Sequence, residues 1–179
     1  RFHDCPSGWA CDIINNNNYK ASGMEAAGIE RFQHGSGETL ATSIGAAYEN
    51  KEPWLGYYWS PDPLMAKYDM VKVDMGVPYN EEVFLCAANA DCTAEGLSAW
   101  PVGPVKTVVT TDFAAREPAV AEFMTKMSYG NDTVLGFLNW MEQNGATYEE
   151  AAVYFLLNNK DLWSSWVSED ANAKLAEFF

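Results

Sequence analysis

Apolar residues recur at helical spacing in several stretches of the chain, and polar caps mark where each stretch begins. Leu40, Ile44, Ala47 and Tyr48 fall on one face of residues 36–50, with Ser36 or Gly37 at the start, and predict a helix there. Residues 64–68 predict a single helical turn. Beyond residue 111 the helical pattern dominates. It predicts a helix over 118–127, a second capped by Asp132 that runs to Gln143 and stops near Gly145, and a third opened by the capping box Thr147-Tyr-Glu-Glu150 and ending at Leu157. Asp161 and Ser168 are candidate caps for two more, the last holding Ala171, Leu175 and Phe178.

Strand signals are fewer. The aromatic run 54–59 reads as a strand ended by Pro61 and Pro63, residues 70–73 as a short strand, and the β-branched run 105–111 as a third. Residues 75–104 are rich in Gly and Pro and read as loop. The tract Asn15–Asn18 is expected to end a short helix, because its amides compete for backbone groups. The pattern as a whole is α/β, with a mixed region giving way to a helical tail near residue 104.

Composition narrows the function. At 179 residues and 48% hydrophobic, the chain can bury a core in one domain or two small ones. Eleven Lys plus Arg against 25 Asp plus Glu leave a formal charge of -14, which argues against nucleic acid and against anionic bilayers. No apolar run is long enough for a transmembrane segment. The catalytic motifs of serine hydrolases and zinc proteases are absent, and Gly35-Ser36-Gly37 lacks a nucleotide-loop lysine, so no enzyme and no cofactor is expected. The neighbouring carboxylates Glu81/Glu82, Glu149/Glu150 and Glu169/Asp170 read as helix starts or solvated faces. Asn89, Asp91 and Glu95 carry oxygens suited to calcium but lack the EF-loop pattern, so no metal is expected.

The four cysteines form two close pairs, Cys5/Cys11 and Cys86/Cys92, each C-x5-C. Four cysteines allow three pairings. The wide spacing is a poor match to a zinc knuckle, and neither His3 nor His34 sits at finger-like spacing, so two local disulfides and an oxidising compartment are expected. The first pair brackets Trp9, and Trp59 ends the aromatic run. Indole faces attract quaternary ammonium groups without needing a donor on the ligand, so such rings suit a cage for a methylated cation.

The stretch Glu52-Pro-Trp-Leu-Gly-Tyr-Tyr-Trp-Ser-Pro, continuing through Leu64-Met-Ala-Lys-Tyr-Asp-Met-Val-Lys72, resembles the substrate-binding proteins of ABC importers for glycine betaine, proline betaine and choline. So do the Cys5-x-x-Gly8-Trp9-x-Cys11 loop, Asn139-Trp-Met-Glu-Gln-Asn144 and Leu162-Trp163-Ser-Ser-Trp166, in the family's order. The acidic character also resembles the subgroup that binds trimethylamine N-oxide.

The resemblance implies a periplasmic or extracytoplasmic protein with a two-lobed periplasmic-binding-protein (type II) clamshell. It would hand a small methylated ammonium or N-oxide ligand to a membrane permease. Residues 1–104 would form most of the second lobe and 105–179 the returning C-terminal part of the first. The N-terminal portion, with most of the first lobe and a further cage aromatic, would lie outside this sequence, as would any leader.

By the same resemblance Trp9 and Trp59 are the cage rings, and the backbone N–H groups of Ala10 and Cys11 face the ligand's negative end, with Gly8 permitting the tight approach. Strand alternation would put Tyr57, rather than Tyr58, on the face of Trp59. Trp54 fits cage or core. Trp140, Trp163 and Trp166 are expected to pack between helices, and His3 to be solvated, with a contribution to the donors for the ligand's negative end as the alternative. Two other classes remain open: a carbohydrate or peptide binding module using exposed aromatics, and a disulfide-stapled structural domain without a small ligand.

Overall fold

A computed structural model describes residues 1–92 and 96–178. They form two compact units, one built from Arg1–Trp59 and Tyr68–Val102, the other from Ser60–Lys67 and Gly103–Phe179.

The first unit opens with strand β1 (Phe2–Asp4), helix α1 (Ala10–Ala21), strand β2 (Arg31–Gln33) and helix α2 (Gly37–Asn50). β1 and β2 pair in parallel, with Phe2 opposite Arg31 and Asp4 opposite Gln33. On its other side β1 meets residues 55–57: the His3 N–H donates to Leu55, the Tyr57 N–H donates to His3, and His3 bridges Gly56. Only glycine fits there, because a Cβ on Gly56 would lie 2.3 Å from the His3 carbonyl oxygen. The expected strand over 54–59 is therefore a single bridge. Trp54 leaves the ribbon to donate from Nε1 to the Ser43 hydroxyl at 3.0 Å, and its ring stacks on His3.

The asparagine tract does not end a helix; it sits inside α1. Two of its amides find partners away from the helix backbone, while the buried Asn18 amide has no hydrogen-bond partner among the described residues. Asn15 donates to the buried carboxylate of Asp4 at 2.6 Å, and Asn17 donates to the carbonyls of Ala87 and Asn89. Amides engaged across the fold no longer compete with the helical ladder.

A short helix, α3 (Pro63–Lys67), belongs to the second unit, and α4 (Glu81–Ala87) to the first. α4 interrupts the region expected to be loop. The Asn80 side chain caps it through the Val83 N–H, while the buried Ser98 hydroxyl holds the Asn80 backbone from both sides. Cys86 and Cys92 are bridged at its end, with Cα atoms 5.3 Å apart.

The remaining helices form the second unit: α5 (Thr111–Arg116), α6 (Pro118–Lys126), α7 (Asn131–Asn144), α8 (Tyr148–Asn158), α9 (Lys160–Trp163) and α10 (Glu169–Leu175). Thr147 and Ser168 cap α8 and α10 as the sequence predicts, and Glu149/Glu150 and Glu169/Asp170 lie in first turns. Gly130 and Asn159, rather than Asp132 and Asp161, hold the caps of α7 and α9. Trp163 and Trp166 pack with Phe155 to form the core, flanked by Phe123, Phe137 and Leu175. Trp140 is only half-buried, stacked on Tyr154 at 4.1 Å.

Residues 70–73 and 105–111 do not form the expected strands. Val105 is 98% exposed, and the hydroxyl of Thr110 instead caps α5 through the Phe113 N–H. β-Branched residues favour a strand only where a ladder partner supplies packing. Among the described residues no helix is long and apolar enough to cross a membrane.

Candidate functional site

The first wall of the site is the loop between β1 and α1. Cys5 and Cys11 are bridged across it, with Cα atoms 6.4 Å apart. Within the bridge the Trp9 N–H donates to the Pro6 carbonyl at 3.3 Å, and Gly8 takes φ +85°, as the third position of a type II turn requires. The turn delivers Trp9 to the N-cap of α1, where its backbone is extended and its indole is free to project.

A charged hub fixes this loop against the strands. Asp4 is fully buried yet accepts from its neighbour's Cys5 N–H, from Asn15, and from Arg31 Nε at 2.6 Å. The other arm of Arg31 reaches Asp12 in the first turn of α1, also at 2.6 Å, and Gln33 donates to the same carboxylate. Burial pushes the Asp12 carboxyl up, but the hydrogen bonds from Arg31 and Gln33 outweigh it and hold it below the ordinary range. Removing Arg31 would leave the fully buried Asp4 carboxylate without a counter-charge, whereas removing Asp4 would leave Arg31 paired with Asp12.

The second wall comes from the start of α2 and the end of the aromatic run. Ser36 caps α2 in a reciprocal box with Thr39, leaving Gly37 and Glu38 as the first helical residues. Trp59 meets Trp9 with ring centroids 5.8 Å apart and planes at 61°. Tyr58 stacks on Trp59 at 4.3 Å, nearly parallel. Together with Pro6, Ser36 and Glu38, these rings line an open cleft of about 630 Å³, within the range of small-molecule sites. Trp9 is 39% and Trp59 40% exposed, whereas Trp163 is 2% exposed. The first two rings are available to a ligand and the third is not.

The structure thus brings Trp9 and Trp59 together. Ala10 and Cys11 are the first residues of α1, and no side chain caps that end, so their N–H groups lie at an uncapped helix start. Tyr57 lies apart from the cleft lining. It is half-buried against Trp100 at 5.4 Å and reaches Trp59 at 6.4 Å, and burial, with Asp4 nearby, raises its phenol above the ordinary value. Tyr58 takes the place in the lining. Strand alternation does not carry past Gly56, because the ladder ends there.

Sequence reasoning passed over Glu38 and Gly37, although both follow directly from the Ser36 cap. It also expected a solvated His3. Instead His3 Nδ1 and His34 Nε2 lie 2.9 Å apart, the rings stack at 5.2 Å, and Phe32 and Trp54 close around His3. Burial, then the nearby charges of His34 and Arg1, lower the His3 pKa; burial lowers that of His34 against the pull of Asp4. No signal in the sequence linked two histidines so far apart. Among the described residues no three His, Cys, Asp or Glu side chains gather as a metal site requires. Glu95, one of the oxygens weighed for calcium, lies outside the described residues.

No curated protein matches the chain. A family model does: residues 1–158 match OpuAC, the substrate binding domain of the ABC-type glycine betaine transport system. That match spans most of the sequence, and the chain belongs to this family of non-enzymatic, extracytoplasmic substrate-binding domains of ABC importers.

Proposed function

We propose that the protein captures a small methylated ammonium or N-oxide compound (glycine betaine, choline or trimethylamine N-oxide) in the cleft lined by Trp9 and Trp59 and delivers it to its membrane permease. The observation that carries this reading is the convergence of two part-exposed indoles at 61° on one cleft. Two faces set at an angle surround a compact cation from two sides, and each contributes through its ring quadrupole. A flat platform for a sugar ring would favour coplanar indoles, so the angle supports the cage over the carbohydrate alternative. The uncapped first turn of α1 suits the ligand's oxygen, since Ala10 and Cys11 can donate to it at the positive end of the helix.

The test is a tryptophan-fluorescence titration of the full-length protein with each of the three compounds. A saturable change with at least one is expected. Flat titrations with all three, on protein shown to be folded, reject the reading.

A further inference from the structure

The cleft carries a formal charge that the aromatic cage alone does not require. Glu38 lines it beside Trp9 and Trp59, and no Lys, Arg or His side chain is among the described residues of the lining. Glu38 is exposed and takes part in none of the ion pairs found among the described residues. Its backbone follows directly on Gly37, against which the Trp9 ring is packed. Glu38 and the Trp9 indole therefore both line the cleft near the start of α2.

We propose that Glu38 is a specificity-determining residue of the cleft, favouring ligands that carry a net positive charge, such as a quaternary ammonium alcohol, over zwitterions that carry their own carboxylate. This rests on the cage reading above and adds the charge class of the ligand to it. A single negative charge at the rim attracts a monocation with its full Coulomb energy. A zwitterion's ammonium is attracted and its carboxylate repelled, and over the few ångströms of a small molecule the two nearly cancel. Indole faces do not make this distinction, since both ligands present the same methylated ammonium to them. The Glu38 carboxyl is held below its ordinary range by its own backbone N–H and then by the Ser36 hydroxyl, so the charge is present throughout the neutral pH range.

The experiment compares the wild-type full-length protein and Glu38→Gln by titration with choline and with glycine betaine, at low and at raised salt. The expected result is that the ratio of choline to glycine betaine affinity falls about tenfold in Glu38→Gln, an amount equal to about 1.4 kcal/mol. The ratio should also fall with salt in the wild type and stay flat in the variant, as screening of one rim charge requires. An unchanged ratio in a variant that melts like the wild type overturns the proposal while leaving the cage in place. If wild-type protein binds neither cation nor zwitterion, the cage reading falls and this inference falls with it.

Discussion

The Trp9 indole lies against the backbone of Gly37: a Cβ built on Gly37 would sit 3.1 Å from Cη2 of the ring. That distance is tighter than a carbon pair normally adopts, so Gly37→Ala must shift the ring by a few tenths of an ångström. The helix itself gains little from the change, since the penalty of roughly 0.5–1 kcal/mol for glycine against alanine belongs to helix interiors and Gly37 is the first helical residue. The expected outcome is an unchanged or slightly raised melting temperature with ligand affinity lowered about fivefold. Equal affinity would show that the ligand does not touch the Trp9 face.

Removing the rings separates binding from packing. Trp9→Ala and Trp59→Ala should each lower affinity about thirtyfold, the worth of a desolvated cation–π contact of about 2 kcal/mol, with modest effects on melting. Trp163→Ala should do the reverse. That ring is buried, and its Nε1 donates to the Leu156 carbonyl at 2.7 Å. Its loss should cost about 3–5 kcal/mol. Trp140→Ala should cost less than Trp163→Ala, because that ring is half-buried on Tyr154. Paired melting curves and titrations check all four.

The two disulfides close equally short loops, and chain entropy assigns each about 2 kcal/mol. Their functional weight differs. Cys5→Ala with Cys11→Ala should weaken binding as well as stability, because that bridge spans the turn presenting Trp9. Cys86→Ala with Cys92→Ala should lower stability alone. Equal affinity in both double variants would remove the first bridge from any role in the site.

Stability should fall on mild acidification. Both His3 and His34 titrate below their ordinary value in the folded protein. The unfolded chain therefore takes up protons first, as pH drops through about 6.5, and folding is disfavoured until the folded histidines also titrate. The stabilisation is complete above about pH 7 and declines below it. Melting temperatures measured from pH 8 to pH 5 should show this fall, and His34→Asn should flatten it. Parallel curves for the two proteins would assign the slope to other groups.

What was legible in the sequence was local. The Ser36, Thr147 and Ser168 caps act within three residues of themselves, and each appears where the pattern put it. Trp9 and Trp59 stood out because a bridged loop and an aromatic cluster are visible without a fold. Partners that depend on tertiary structure were not. Asn15 is settled inside α1 by Asp4, Arg31 joins Asp4 to Asp12, and His34 meets His3 across β1 and β2. Propensity failed for 105–111 for the same reason in reverse: valines and threonines signal a strand, but no ladder partner among the described residues is there to pair with them.

If the cleft beside Trp9 holds the ligand as proposed, the Cys5–Cys11 bridge also sets when the protein can first bind it. Thiols stay reduced in the cytosol and close outside it, so a nascent chain lacks the fastening on the Trp9 turn until it has been exported. On the proposed reading, capture is thereby tied to the closing of one covalent bond at the destination.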